Sequence, residues 1–94
     1  KIYESALAHD LRKSGVGVAQ QHRISVVYDG TVMGDYAADL LVENRILVEL
    51  KAVKALDGVH EAQCINYLAA TGLPVCLLLN FGRPKVEIRR LMRR

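Results

Sequence analysis

Two short apolar runs lie on either side of Glu43-Asn44 in the stretch Asp39-Leu-Leu-Val-Glu-Asn-Arg-Ile-Leu-Val-Glu-Leu-Lys51. Runs this short and this rich in Leu, Ile and Val are typical of strands rather than helices. A tight turn at Glu43-Asn44 would fold them into a hairpin, and side chains would then alternate between the two faces. Glu49 and Lys51 are predicted to share one face, with Asp39 folded back level with them. The other face is predicted to enter the core through Ile46, Val48 and Leu50.

The predicted convergence of Asp39, Glu49 and Lys51 has a chemical consequence. Carboxylates placed side by side repel each other, and a divalent cation removes that repulsion. Mg²⁺ takes oxygen ligands, usually one or two carboxylates together with water and a phosphate oxygen. We therefore predict that Asp39 and Glu49 bind Mg²⁺ or Mn²⁺ and that Lys51 assists phosphodiester hydrolysis. The alternative is an ordinary Glu–Lys pair at the exposed end of a strand, since Glu-x-Lys alone is a weak motif.

The ordered set of Asp39, Glu49-x-Lys51 and Gln63-x-x-x-Tyr67 resembles the PD-(D/E)XK nuclease superfamily. More narrowly, the chain is similar to the small bacterial GxxExxY proteins. The segments that carry this similarity are Tyr3-Glu4-Ser-Ala-Leu, Asp39-Leu-Leu-Val-Glu, Val48-Glu-Leu-Lys-Ala, His60-Glu-Ala-Gln-Cys-Ile-Asn-Tyr-Leu and Leu79-Asn-Phe-Gly82. The resemblance implies a restriction-endonuclease-like core and a nuclease-like site in which Gln63 and Tyr67 support the metal ligands and the lysine.

The chain departs from the narrower family at its start. Tyr3 matches the closing Tyr of GxxExxY, which would place the motif Glu immediately before Lys1 and the Gly earlier still. The resemblance therefore predicts that a helix Glu that often completes the metal site is missing. Glu4 lies one helical turn after that position, on the same face, and is a candidate substitute ligand.

Composition describes a single globular domain over residues 1–94. The chain is 51% hydrophobic and 24% charged, and it lacks Trp. No segment approaches the roughly 18 apolar residues of a membrane span, and no signal peptide is visible. Cys64 and Cys76 are predicted to be buried free thiols, which agrees with a reducing cytoplasm.

The pattern of apolar residues predicts an α/β fold. A first helix has Ile2, Tyr3, Ala6, Leu7 and Leu11 on its apolar face. An antiparallel meander follows, with strands at Val18–Tyr28, Thr31–Tyr36, Asp39–Val42 and Arg45–Lys51. A second helix over Val59–Thr71 then crosses to strands at Pro74–Asn80 and Lys85–Leu91, in a mixed central sheet.

A polar stripe on the second helix is formed by His60, Gln63 and Tyr67, at helical spacing. Packed near Glu49 and Lys51, these side chains could hold a water, a phosphate or the lysine. They could equally form a solvated outer face.

Positive charge is concentrated at the end of the chain. Six basic residues and one acidic residue follow position 82, whereas the remainder has seven basic and nine acidic residues. We predict that Arg90, Arg93 and Arg94 bind nucleic acid, with DNA favoured over RNA, and that a homodimer doubles this basic surface. The last strand is predicted to turn Val86 and Ile88 inward. A solvated tail is the alternative for the basic segment.

For the whole chain, the alternative to a nuclease is an inactive module that keeps the fold for nucleic-acid or protein binding.

Overall fold

Two helices and five strands make up the computed structural model, which describes residues 1–94. In chain order they are α1 (Ile2–Lys13), β1 (Val18–Tyr28), β2 (Thr31–Val42), β3 (Ile46–Lys51), α2 (Gly58–Thr71), β4 (Val75–Asn80) and β5 (Glu87–Met92). The strands form one sheet in the order β1-β2-β3-β4-β5. Only β3 and β4 are parallel, and α2 connects them. The predicted α/β fold, an antiparallel meander followed by a crossover helix, is confirmed.

The hairpin at the centre of the sequence forms as predicted. Leu40 pairs with Val48, and the strands meet at a turn in which Glu43 and Asn44 both have positive φ angles, of 53° and 55°. The preceding strand differs from the prediction, because β2 runs unbroken from Thr31 instead of stopping at Tyr36. The reason is that β1 continues to pair with β2 beyond Tyr36, with Arg23 opposite Ala37 and His22 opposite Ala38.

Helices cover both faces of the sheet. The larger core lies between the sheet and α2 and includes Leu47, Cys64, Leu68, Cys76 and Leu78. The smaller core lies between the sheet and α1 and is formed by Ala8, Leu40 and Val48, with Ile46 and Leu50 packed against it. Both cysteines are buried free thiols, as predicted. Neither helix has the length and apolar content needed to cross a membrane.

The alternation along β3 is confirmed, but its polar face is less open than predicted. Val48 faces α1, as expected, whereas Leu47 faces α2 and is fully buried. Glu49 lies on the same face as Leu47 and is only 5% exposed. This carboxyl group therefore lies at the border of the larger core.

The orientation of α1 agrees only in part with the prediction, since Leu7 and Leu11 pack against the smaller core. Ile2 and Tyr3 were predicted to face the core, but they are 83% and 54% exposed; Ala6 is exposed as well. The buried residues are Glu4 and Ala8. Two glutamine side chains of β1 bind the Glu4 carboxylate, so the helix turns this polar residue inward and turns Ile2 outward.

Local signals at both ends of α2 explain its boundaries. The Asp57 carboxylate accepts hydrogen bonds from the N–H groups of Val59 and His60, and His60 Nδ1 accepts one from the Asp57 N–H. Gly72 ends the helix in the left-handed conformation. His60 therefore caps the helix, whereas the prediction grouped it with Gln63 and Tyr67.

The last strand faces opposite to the prediction. Ile88 is 60% exposed, whereas Leu91 packs against the core beneath α2. Arg89 also lies on the α2 side, with its Nε 3.5 Å from a Glu61 carboxylate oxygen. The reason is that α2 packs on β5, while α1 packs on β1 and β2. The face that carries Ile88 has no helix over it.

Candidate active site

The paired register of β2 and β3 ends at Leu40 and Val48, and two carboxylates bridge the strands beyond this point. The Asp39 N–H donates to Glu49 Oε1 at 2.9 Å. In return, the Leu50 N–H donates to Asp39 Oδ2 at 2.8 Å. Side-chain oxygens thus take the place of the backbone carbonyls that would continue the ladder. The convergence of Asp39 and Glu49 predicted from the sequence is present.

Glu49 has the most perturbed carboxyl group at this site. Burial first, and then the neighbouring Asp39 carboxylate, raise the pKa of Glu49 from 4.5 to about 7. The hydrogen bond from Asp39 and the positive charge of Lys51 oppose this rise. Ionisation of Glu49 is therefore disfavoured by its burial and by the carboxylate beside it.

Lys51 and Gln63 are in contact. The Lys51 ammonium donates to Gln63 Oε1 at 3.2 Å, which ties the end of β3 to the middle of α2. Lys51 as a whole is half-buried. The sequence left a water, a phosphate and the lysine as possible partners of the polar stripe on α2. For Gln63, this contact favours the lysine.

Tyr67 lies close to the same carboxylates. It is 5% exposed, and burial followed by the charge of Glu49 raises the pKa of Tyr67 to about 12. Its hydroxyl therefore remains protonated at neutral pH and available as a donor. The ring also contacts Tyr36 of β2, with the ring centres 5.8 Å apart. Tyr36 was not predicted as a site residue. The available signal was its position shortly before Asp39 in the sequence.

Glu4 is connected to Asp39 through a glutamine. Its two carboxylate oxygens accept from Gln20 Nε2 at 2.9 Å and from Gln21 Nε2 at 2.7 Å. The Gln21 amide nitrogen also lies 3.3 Å from Asp39 Oδ1. Gln21 has a positive φ of 53°, which is uncommon for a residue other than glycine. No sequence signal indicated that these two glutamines would hold Glu4.

The segment after β4 supports the end of β3. The Phe81 N–H donates to the Lys51 carbonyl at 2.8 Å. Asn80 is fully buried and exchanges hydrogen bonds with the backbone of Val53, donating to its carbonyl and accepting from its N–H, each at 2.9 Å. A Cβ at Gly82 would collide with the backbone of Val53. The Leu79-to-Gly82 segment thus has a structural role close to Lys51.

The arginines at the end of the chain lie elsewhere. Lys51 and Asn80 pair at one end of the sheet, whereas Arg93 hydrogen bonds to the Pro74 carbonyl at the other end. Arg90 is exposed opposite Leu77, between these two ends. The structure does not bring Arg90, Arg93 or Arg94 next to the carboxylates.

The donor set of the site fits a hard divalent cation. Asp39 and Glu49 supply carboxylate oxygens. Glu49 Oε1 accepts the hydrogen bond from Asp39, whereas Glu49 Oε2 accepts none and is not completely buried. No group of three or more His, Cys, Asp or Glu residues is arranged to hold a metal. Two carboxylates are nevertheless a usual protein contribution for Mg²⁺, which takes its remaining ligands from water and phosphate.

Comparison with solved structures shows the same fold in an enzyme of known structure. The alkaline exonuclease LHK-Exo from Laribacter hongkongensis superposes with a TM-score of 0.70 at 18% identity, covering 99% of this chain and 55% of that one. The structure of LHK-Exo in complex with dAMP gives a TM-score of 0.71, with the same identity and coverage. The chain therefore spans about half the length of that enzyme.

Comparison of the sequence identifies the family. None of the curated proteins matches the sequence. Residues 1–91, however, match the model of a family described as the PD-(D/E)XK nuclease superfamily. This match includes the bridged carboxylates, the lysine and both helices. The chain therefore belongs to the PD-(D/E)XK nuclease superfamily.

Proposed function

We propose that this chain is a metal-dependent nuclease domain that hydrolyses phosphodiester bonds of nucleic acid, with DNA favoured over RNA. The observation that carries the proposal is the mutual bridging of Asp39 and Glu49 where β2 and β3 separate, beside Lys51. A structural role alone does not explain this arrangement, because burial of a carboxyl group next to a second one is unfavourable.

Each residue would have a distinct role. Asp39 and Glu49 would hold Mg²⁺ or Mn²⁺, which when bound lowers the pKa of a water molecule and neutralises charge on the phosphate. The Lys51 ammonium would orient the nucleophile or stabilise negative charge that develops in the transition state. Gln63 would fix the position of that ammonium through the 3.2 Å hydrogen bond. The protonated hydroxyl of Tyr67 would donate to a phosphate or water beside Glu49.

Two further observations support the choice of nucleic acid. The superfamily match covers the site residues, and the structural neighbour is an exonuclease that has been crystallised with a deoxynucleotide. From the sequence motifs we also propose that the chain is one of the GxxExxY proteins, that its source is bacterial and that it is located in the cytoplasm. A homodimer is part of the same proposal, with a partner protomer covering the exposed edge of β5.

Cleavage of labelled oligonucleotides tests the proposal. Single-stranded and duplex DNA, and RNA of the same sequence, are incubated with Mg²⁺, Mn²⁺ or EDTA, and the products are resolved by size. We expect metal-dependent cleavage by the wild type and loss of it in Lys51→Ala. Lys54→Ala is the matched control, because Lys54 is an exposed lysine on the loop after β3. Equal cleavage by Lys51→Ala and the control would contradict the role of Lys51.

Metal binding is tested separately by calorimetry with Mn²⁺. Asp39→Ala and Glu49→Ala should each abolish the binding heat, while Lys51→Ala should retain it. Circular dichroism of each variant establishes that the fold is kept. Unchanged affinity in the Asp39→Ala/Glu49→Ala double variant would refute the metal site.

A second candidate is a module that binds nucleic acid or protein without turnover. The observation that favours it concerns Glu4, whose two oxygens are both occupied by glutamine amides instead of pointing to Asp39. A metal bound by Glu4 would therefore have to share these oxygens with the amides of Gln20 and Gln21. Retained nucleic-acid binding with no cleavage in Mg²⁺ or Mn²⁺ would support this candidate.

A further inference from the structure

A cleft of about 730 Å³ lies beside the candidate active site, between α2 and the far part of the β1–β2 hairpin. We call it the α2–hairpin cleft. One wall is a face of α2, formed by Val59, Ala62, Gln63, Asn66, Tyr67, Ala69 and Ala70. The other wall is formed by residues 25–27 of β1 and by Tyr36 of β2. Its volume is in the range typical of small-molecule sites, roughly 300–1,000 Å³.

The chemistry of the lining selects the kind of ligand. Eight of the 11 lining residues are hydrophobic, and none is Asp, Glu, Lys or Arg. A phosphate or a sulfate would find no countercharge here. The polar groups that face the cleft from α2 are the side-chain amides of Gln63 and Asn66, which can both donate and accept hydrogen bonds. A largely apolar lining that contains two aromatic rings and a few amides suits an uncharged, planar ligand with hydrogen-bonding edges.

Tyr36 supplies an aromatic wall because of the residue two positions before it. A Cβ at Gly34 would lie 2.8 Å from Tyr36 Cε2 and 2.9 Å from its hydroxyl oxygen. The Tyr36 ring therefore occupies the space over Gly34 and extends along the strand. Together with Tyr67, whose ring centre is 5.8 Å away, it presents aromatic surface to the cleft.

The cleft and the carboxylate site share two residues. Gln63 lines the cleft and accepts a hydrogen bond from Lys51. Tyr67 also lines the cleft, and its hydroxyl is affected by the charges of Glu49 and Asp39. A phosphate bound at Lys51 would therefore leave the attached nucleoside next to the cleft.

We propose that the α2–hairpin cleft binds an unstacked nucleobase of the substrate, so that the domain acts on single-stranded or frayed nucleic acid. This inference rests on the proposed nuclease function, because the base enters with its phosphate at Lys51. A base within a duplex reaches such a cleft only after it has been unpaired and unstacked, at an energetic cost, whereas a base in a single strand can turn out and stack on aromatic side chains without breaking a base pair. Base–aromatic stacking and amide contacts then hold one nucleotide at the site.

The test is a titration of the isotopically labelled protein with adenosine in EDTA, and binding is measured from shifts in the amide NMR spectrum. Adenosine has no phosphate, and EDTA removes metal, so neither catalysis nor the carboxylate site is needed. We expect saturable shifts at the side-chain amides of Gln63 and Asn66 and at Tyr36. Ribose 5-phosphate is the comparison ligand, and it should leave these signals unchanged. Equal shifts with both ligands would overturn the assignment to a base.

Two variants examine the walls of the cleft. Ala70→Leu fills the cleft from an exposed helical position, and we expect it to weaken adenosine binding by on the order of ten-fold. The matched control is Ala6→Leu, since Ala6 is an exposed alanine on α1, against the other face of the sheet. In a second variant, Gly34→Ala, the added Cβ displaces the Tyr36 ring and should also weaken binding. Wild-type affinity in both Ala70→Leu and Gly34→Ala would overturn the proposal.

The remaining outcomes separate this inference from the proposed function and from a competing occupant. Cleavage without adenosine binding would overturn the cleft assignment and leave the nuclease proposal standing. Adenosine binding without cleavage would support the base site, while the nuclease proposal would fall.

The exposed apolar tip of the hairpin, with Tyr28 and Met33, could instead fill the cleft of a second copy. Shifts of the cleft signals with protein concentration alone, and a dimer in sedimentation, would show this and overturn the proposal.

Discussion

Ionisation of Glu49 should destabilise the metal-free domain. The pKa of Glu49 in the folded protein is about 7, above its ordinary value of 4.5, so the folded state binds more protons than the unfolded state between these values. The stabilising contribution is complete below pH 4.5 and is lost as the pH rises through 7. A shift of this size corresponds to roughly 2 to 3 kcal/mol lost between pH 5 and pH 8. That loss is a large part of the stability of a small domain, about 5 kcal/mol or somewhat more.

Glu49→Gln isolates this contribution. Glutamine resembles the protonated acid and can still accept the hydrogen bond from the Asp39 N–H, so the variant and wild type should have similar stability at pH 5. At pH 8 in EDTA the variant should be more stable, by roughly 2 to 3 kcal/mol. The free energy of unfolding is measured by urea denaturation at each pH.

The control is Asp10→Asn, an exposed carboxyl group on α1. The free energy of unfolding of Asp10→Asn, relative to wild type, should not show the increase between pH 5 and pH 8 that is expected for Glu49→Gln. Addition of Mn²⁺ at pH 8 should stabilise the wild type and not Glu49→Gln, because the cation requires the ionised carboxylate. A stability difference between wild type and Glu49→Gln that does not change from pH 5 to pH 8 would refute the reasoning about burial and repulsion.

Three further changes concern a backbone collision, a helix cap and the basic end of the chain. Gly82→Ala should destabilise the domain by roughly 1–3 kcal/mol, because the new Cβ would lie 2.5 Å from the Val53 backbone nitrogen. Urea denaturation measures this, with Gly58→Ala as the control, since nothing lies within 4 Å of a Cβ there. Asp57→Ala should cost about 1 kcal/mol through loss of the α2 cap; unchanged stability in the same assay would show that the cap is dispensable. Removal of Arg93 and Arg94 should flatten the dependence of log K for DNA on log salt by roughly one to two units. A slope equal to that of the full chain would mean that these arginines, which lie away from Lys51, form only a solvated tail.

Much of the fold follows from short-range patterns. The Asp39–Lys51 hairpin was predictable because two β-rich runs are separated by residues that tolerate a tight turn, and alternation then sets which side chains share a face. Strand β1 matches its predicted bounds of Val18–Tyr28. The end of α2 follows from Gly72, which adopts the left-handed conformation that stops a helix. These features depend on a few neighbouring residues, so they can be read without knowledge of long-range contacts.

The orientation of the outer elements depends on tertiary contacts. An apolar phase in α1 favoured Ile2 and Tyr3 as buried residues, but the hydrogen bonds from β1 to Glu4 turn the helix. Likewise, Ile88 lies in an apolar phase of β5, yet it is exposed because only α2 packs on that strand. Periodicity identifies a face, whereas the element that covers the face is set by packing between distant parts of the chain.

The candidate site divides in the same way. The sequence by itself placed Asp39, Glu49 and Lys51 together through strand alternation. The resemblance to the nuclease superfamily added Gln63 and Tyr67, which helical spacing alone left open as a solvated face. The functional roles of all five residues stay predictions. Only the tertiary structure brought Gln21, with its positive φ, between Glu4 and Asp39, and set Tyr36 across from Tyr67. These contacts join α1, β1, β2 and α2. Their geometry depends on how the helices and the hairpin pack on the sheet, which no local pattern of residues encodes.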